Sequence, residues 1–367
     1  MKKSLGIYIH IPFCVRKCKY CDFLSGPAGV DVQNQYIEML LKEIEQYQEL
    51  LKERQTDTIF FGGGTPSIIP GEAIARVIEK LRAFGNISET AEISIEANPG
   101  TVTEEKLRFW KQAGINRISF GLQSADDEEL KRLGRIHTWE AFEENYHLAR
   151  KCGFENINVD LMSALPGQNV DTWQETMEKV VKLNPEHISA YSLIIEEGTP
   201  FYEAYAEHPE LLPTEEEERE MYYKTKAFLS SKGYERYEIS NYAKPGYECR
   251  HNLSYWDRVD YLGLGLGAAS LLGNVRKSNQ TELSEYLNGN FAGEKDVLSE
   301  TNAMEEYFFL GLRKMKGVNW TPYREQYQKT VEKLMTENLI EADGDLIRLT
   351  ELGIDVSNYV LSEFLVE

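Results

Sequence analysis

The chain has 367 residues, 42% hydrophobic and 27% charged, with 60 acidic against 40 basic side chains and a formal net charge of −20. This composition excludes disorder as the ground state, and the acidic excess argues against nucleic acid or anionic headgroups as main partners. The length suits one large domain and a smaller one, and the absence of any run near the ~18 uninterrupted apolar residues of a membrane-spanning helix gives a cytoplasmic expectation.

The first strand is predicted at 5–11 (LGIYIHI), followed by the segment HIPFCVRKCKYCDFLS, which holds three of the five cysteines within eight positions. An amphipathic helix is expected over 32–52, a second strand at 58–61 (TIFF) and a glycine-rich turn, FFGGGTPS, at 60–67. Further strands are read at 92–97 (EISIEA), 117–122 (RISFGL), 156–162 (NINVDLM) and 187–193 (HISAYSL). Helical periodicity fills the gaps at 71–83, 103–113, 139–151 and 171–183. Six successive β-α units predict parallel strands with right-handed crossovers, rolled into a partial (βα)6 barrel, with a doubly wound open sheet as the alternative.

Regularity weakens after residue 200. Pro213-Thr214 before the acidic run 215–218 reads as a capped helix start. A strand is expected at 234–242 and a glycine-rich apolar stretch at 261–273, where GLGLGAAS lacks the dinucleotide fingerprint and is expected instead to form an apolar wall beside a ligand. From residue 302 come helices and a hairpin with its turn at Asp343-Gly344, the pattern of a small α+β, winged-helix-like module. Its 12 acidic and 7 basic side chains point to packing or partner docking rather than DNA. The expected division is 1–200 for the barrel, 201–300 for its extension with a candidate ligand or substrate segment, and 301–367 for the C-terminal module.

Cys14, Cys18 and Cys21 form C-x3-C-x2-C directly after the first strand, at the end of a parallel barrel where active sites sit. Three thiolates on one loop suit a cluster of soft metal ions. Structural zinc, with His10 or Asp22 as fourth ligand, is the alternative.

The spacing, with Tyr20 before the last cysteine, resembles the signature of radical S-adenosylmethionine (SAM) proteins. The resemblance implies a [4Fe–4S] cluster on Cys14, Cys18 and Cys21 whose open iron chelates SAM. It implies SAM contacts from Gly63, Gly64 and Thr65, and the later strand ends extend it through Glu96 in SIEANP, Gln123 in ISFGLQS, Arg135 in LGRIHT and Asp160 in NVDLMSALPGQ. These motifs are similar to the coproporphyrinogen-dehydrogenase branch of the superfamily, where equivalents of these residues, with Tyr8 and Tyr20, line the SAM pocket.

Within that branch, the dehydrogenases carry one more cysteine two residues after the last ligand and an N-terminal extension. This chain has Phe23 at that position and four residues before Leu5. The compact start, the C-x3-C-x2-C-D-F motif and the segment CRHNLSYW at 249–256 resemble instead the HemW-type heme chaperones. That resemblance implies heme as ligand, with His251 as heme-iron ligand, Tyr255 and Trp256 against the macrocycle and Cys249 as a second possible ligand. It also implies heme-accepting partner proteins, membrane-bound ones among them, with a second copy of the chain as a further candidate partner. Oxygen-independent coproporphyrinogen III dehydrogenation is the rival activity.

Overall fold

The computed structural model describes residues 2–366. Strands β1 (Ser4–Ile11), β2 (Gln55–Gly63), β3 (Asn86–Ala97), β4 (Arg117–Gln123), β5 (Ile157–Ser163) and β6 (His187–Ser192) pair in that order, all parallel. No pairing joins β6 to β1, so the arc is a partial barrel of six β-α units. Strands β7 (Glu235–Arg236) and β8 (Asn241–Ala243) extend it antiparallel beyond β6. On the other side β9 (Tyr261–Leu264) runs parallel to β1, followed by β10 (Ala269–Leu272), β11 (Val275–Asn279) and β12 (Ala292–Val297).

Alternation along each strand sorts the side chains by chemistry. Ile7, Ile9, Ile59, Phe61, Ile93, Ile95, Ile118, Phe120, Val159, Leu161 and Ile188 are buried against the surrounding helices, each stabilising the fold by roughly 1.5–3 kcal/mol. Residues of the opposite parity, including Tyr8, Thr58, Glu96, Arg117, Ser119, Asn158, Asp160 and Ser189, face inward. A parallel barrel packed as plain core carries branched apolar layers inside; this interior is polar and encloses cavities.

The crossover helices start where the sequence supplies caps. Asp126 accepts from the backbone N–H groups of Glu128 and Glu129, and Asn169 forms a capping box with Thr172. Thr214 and Glu217 form another, giving the acidic run the helix start expected of it. The predicted 32–52 helix breaks at Tyr47 into Val30–Gln46 and Gln48–Glu53, and an unanticipated helix, Asp127–Leu133, follows β4. The expected 234–242 strand is two short ones, β7 and β8.

The C-terminal part has its own sheet of β13 (Val318–Asn319), β14 (Ile340–Asp343) and β15 (Leu346–Leu349), with helices Glu300–Gly311 and Arg324–Thr336 against it. Its separate core includes Phe308, Tyr327, Leu334, Ile347 and Phe364, the Phe308 and Phe364 rings stacking 4.7 Å apart. No helix among the described residues is long and apolar enough to cross a membrane.

Candidate functional site

At the C-terminal ends of the barrel strands lies a cavity of about 320 Å³. Cys14, Cys18 and Cys21 line it together with Tyr20, Gly63, Gly64, Thr65, Glu96, Gln123, Arg135 and Asp160. The sequence places these residues on five different strand ends, and the fold gathers them.

The cysteine loop is held from two sides. Gly64 N donates to Ile11 O and Thr65 N to Phe13 O, both at 2.8 Å, while the Thr65 hydroxyl donates to Cys14 Sγ at 3.4 Å. A Cβ on Gly64 would stand 2.7 Å from Phe13 O and 3.0 Å from Cys14 Sγ, so glycine is needed there for close approach. On the far side, Lys19 N donates to Leu133 O, and Arg16 Nη2 to Gly134 O, docking the end of the Asp127–Leu133 helix on the loop. Gly134, with φ 79°, then turns the chain so that Arg135 enters the cavity. Its guanidinium donates to Tyr20 Oη at 2.9 Å and Asn98 Oδ1 at 3.0 Å.

Gln123 ends β4 with φ 75°, a left-handed conformation unusual for a side-chain-bearing residue, at a register shift against β5. Such strain, worth about 1–3 kcal/mol, concentrates at functional sites. The Gln123 amide oxygen accepts from Tyr191 Oη at 2.9 Å. Asp160 accepts from Ser119 Oγ at 3.0 Å and Asn158 Nδ2 at 2.7 Å. Glu96 accepts only from Gly63 N, at 3.1 Å; burial, then the neighbouring Asp160 charge, pushes its carboxyl up to about 8.

Beneath this cavity lies a second chamber of about 240 Å³, sharing Glu96, Ser119 and Asp160 with it. Tyr8 and His251 line the lower chamber, with Arg117, Asn158 and Tyr255. Tyr8 sits three residues below the end of β1, about 10 Å down at strand rise, in the chamber that shares Glu96 and Asp160 with the cysteine cavity. His251 is 1% exposed on the Arg250–Trp256 helix, which closes the barrel floor. Its Nδ1 pairs with Thr58 Oγ1 at 2.8 Å and its Nε2 with Tyr255 Oη at 3.0 Å. Burial and the Arg117 charge push its pKa down to about 3, keeping the ring neutral.

Other readings change too. The backbone N–H groups of Gly63, Gly64 and Thr65 all have partners inside the protein, so these residues contribute shape and carbonyls rather than free donors. The GLGLGAAS segment turns from β9 to β10 beside β1 and lines neither cavity. Both ring nitrogens of His10 are engaged, by Tyr8 Oη and Leu24 O, which removes it as a ready fourth zinc ligand. Cys249 is buried beside Glu92, and burial pushes its thiol up to about 12. Asn98, Ser119 and Tyr191 were missed, although Ser119 and Tyr191 carry the same inward parity as Asp160.

The donor set fits an iron–sulfur cluster: three thiols at one cavity wall, with no disulfide among them. Among the described residues no three His, Cys, Asp or Glu side chains already enclose a metal site.

Family comparisons agree with this geometry. A family model described as the radical SAM superfamily matches residues 8–180, and one described as the HemN C-terminal domain matches residues 298–356. Coproporphyrinogen III oxidase (HemN) from Escherichia coli, a radical SAM enzyme, superposes with a TM-score of 0.85 over 100% of this chain and 91% of that one, at 24% identity, a likeness of fold. The heme chaperone HemW of Lactococcus lactis is 34% identical over 378 residues, covering 100% of this chain and 99% of its own. That of Bacillus subtilis is 36% identical, covering 98% and 99%. The two matched family models and the full-length relatives make this chain a radical SAM protein of the HemN-like branch, in keeping with its barrel, cysteine loop and cavity. Within that branch, the chain belongs to the HemW family.

Proposed function

We propose that this protein is a cytoplasmic heme chaperone, binding heme and passing it to acceptor proteins, membrane-bound ones among them. The reading rests on similarity to heme chaperones along the whole chain. The residue 23 position agrees with it: a phenylalanine, 60% exposed, stands at the cavity mouth where the dehydrogenase pattern has cysteine.

Cys14, Cys18 and Cys21 would hold a [4Fe–4S] cluster, and the cavity around Glu96, Gln123, Arg135 and Asp160 would hold SAM. When bound, a cluster of this kind supplies the electron that cleaves the SAM sulfonium. The chain's own contribution is positional. Thr65 and Gly64 fix the base of the cysteine loop, Arg135 holds the hydroxyl of Tyr20 within that loop, and Glu96 and Asp160 place carboxyl groups on the cavity floor.

His251 is the proposed iron ligand, and its burial sets a condition. Coordination requires the Arg250–Trp256 helix to shift and release the ring from Thr58 or Tyr255. Hemin titration of the full chain, read from the Soret band after gel filtration, tests the function. Retained heme is expected; a chain that retains none is not a heme chaperone. An unchanged Soret band in His251→Ala would remove the ligand assignment alone.

A further inference from the structure

Glu43 is a fully buried carboxyl on the Val30–Gln46 helix, and it lines neither cavity. A carboxyl taken out of water is costly unless donors satisfy it, and three do. Gly265 N at 2.8 Å and Tyr286 Oη at 2.7 Å reach one oxygen, and Asn279 Nδ2 at 2.5 Å reaches the other. These neutral donors come from the connection after β9, from the end of β11 and from the short helix Leu283–Leu287. An aliphatic side chain would fill such a site without the desolvation cost. What the carboxyl adds is placement of the GLGLGAAS connection.

That connection touches both arms of the cysteine loop. On the entry arm, Leu266 N donates to Tyr36 Oη at 2.9 Å, and Tyr36 Oη donates to His10 O at 2.7 Å. Gly265, with φ 97°, approaches so closely that a Cβ would stand 2.5 Å from both His10 O and Tyr36 Oη. On the exit arm, a Cβ at Gly267 would stand 2.6 Å from Leu24 Cδ2. Between the arms, Cys14 N donates to Gly26 O and Gly26 N to Pro12 O, both at 3.0 Å, which closes a neck at the base of the loop. The Tyr36 and Tyr286 rings stack 4.9 Å apart, joining the hydroxyl that serves His10 to the one that serves Glu43.

We propose that Glu43 is a positioning residue for the cysteine loop, acting through the GLGLGAAS connection and Tyr36 to hold the neck at Cys14 and Gly26, and thereby the grip on a cluster at Cys14, Cys18 and Cys21. The grip on the cluster rests on the cluster reading given above; the hold on the neck does not. A buried acid and a glycine-rich segment that line no cavity thus share one task, bracing the loop on the side away from Gly64 and Thr65.

Hydrogen exchange and cluster release in the full chain test this role. Tyr36→Phe keeps the ring and removes the hydroxyl, whereas Glu43→Gln keeps one acceptor oxygen and replaces the other with an amide. In the metal-free chain each is expected to speed exchange at the Cys14 and Gly26 amides by about fivefold, the scale of one lost hydrogen bond, while the amides of β4 keep their rates. After anaerobic reconstitution each should lose iron to a ferrous chelator several-fold faster than the parent. The double variant should fall short of the product of the two single effects, as expected of residues in one network. Val180→Ala, at a buried site on the Val170–Lys182 helix, controls for lost stability and should leave neck exchange unchanged relative to β4. Unchanged neck exchange in both variants, or acceleration matched at β4, would overturn the positioning role. A parent chain that takes up no iron and sulfide would remove the cluster reading instead, and neck exchange in the metal-free variants would still decide the role of Glu43.

Discussion

The Glu96 carboxyl accepts the Gly63 N–H at 3.1 Å, and through that bond the end of β3 holds the turn after β2 in its left-handed conformation. The same turn carries Gly64 and Thr65 against the cysteine loop. One buried carboxyl therefore links the cavity wall at β3 to the base of the cysteine loop.

Titration of this region sets a pH dependence. Burial raises Glu96 to about 8 and Glu43 to about 7, so the native state holds these protons longer than the unfolded chain and loses stability as pH rises from about 4.5 to 7–8. His251 lies near 3 and His137 near 4, with His10 and His187 also lowered, burial being the main cause throughout. Their contribution is present above about 6.5 and is lost as pH falls toward 4. Four histidines outweigh two glutamates on the acid side, so denaturant midpoints should peak near neutrality. In Glu96→Gln the decline above pH 7 should become shallower; an identical alkaline slope would contradict the assignment.

Gly64→Ala should displace the cysteine loop. The added methyl meets two backbone carbonyls and the Cys14 sulfur at 3.0 Å or less, and overpacking of this kind costs about 1–3 kcal/mol. Iron and sulfide after anaerobic reconstitution should drop several-fold while far-ultraviolet circular dichroism is retained. Full cluster loading would show that the close approach is dispensable.

Gln123→Gly separates strain from binding. Removing the side chain relieves about 1–2 kcal/mol of left-handed backbone strain, and it forfeits the Tyr191 hydrogen bond, worth about 1 kcal/mol. The melting temperature should therefore stay within a few degrees of the parent, whereas SAM affinity falls at least about tenfold. Undiminished affinity would place Gln123 outside the SAM pocket.

Removal of His251 leaves Thr58 and Tyr255 without their buried partner. His251→Ala should destabilise the chain by about 2–3 kcal/mol and also flatten the acid limb of the stability profile. A variant as stable as the parent at pH 7 would mean that the floor helix is not anchored by this ring.

Much of the fold was legible because each β-α unit writes its own signals: β-branched alternation in RISFGL, helical periodicity at 139–151, the glycines after strand ends. The cysteine loop and the residues at strand ends were equally readable, since parallel strands present their ends on one face. Depth was not. Tyr8 and His10 share the inward parity of β1, yet only the three-dimensional stack places Tyr8 in the lower chamber. His251 is 193 residues from Thr58, and nothing local to CRHNLSYW announces a helix that caps the barrel floor. Likewise β9 joins β1 in parallel through a contact far apart in sequence, so GLGLGAAS read as a ligand wall when it is a tight strand connection.

The most direct test of the proposed function sets both activities of the branch against each other in one anaerobic preparation. The cluster-reconstituted chain with SAM is given coproporphyrinogen III, and in parallel is loaded with hemin and mixed with apomyoglobin as a heme acceptor. Retained heme that moves to apomyoglobin, with no carbon dioxide released from coproporphyrinogen, is the predicted result; decarboxylation without heme retention or transfer would contradict the account.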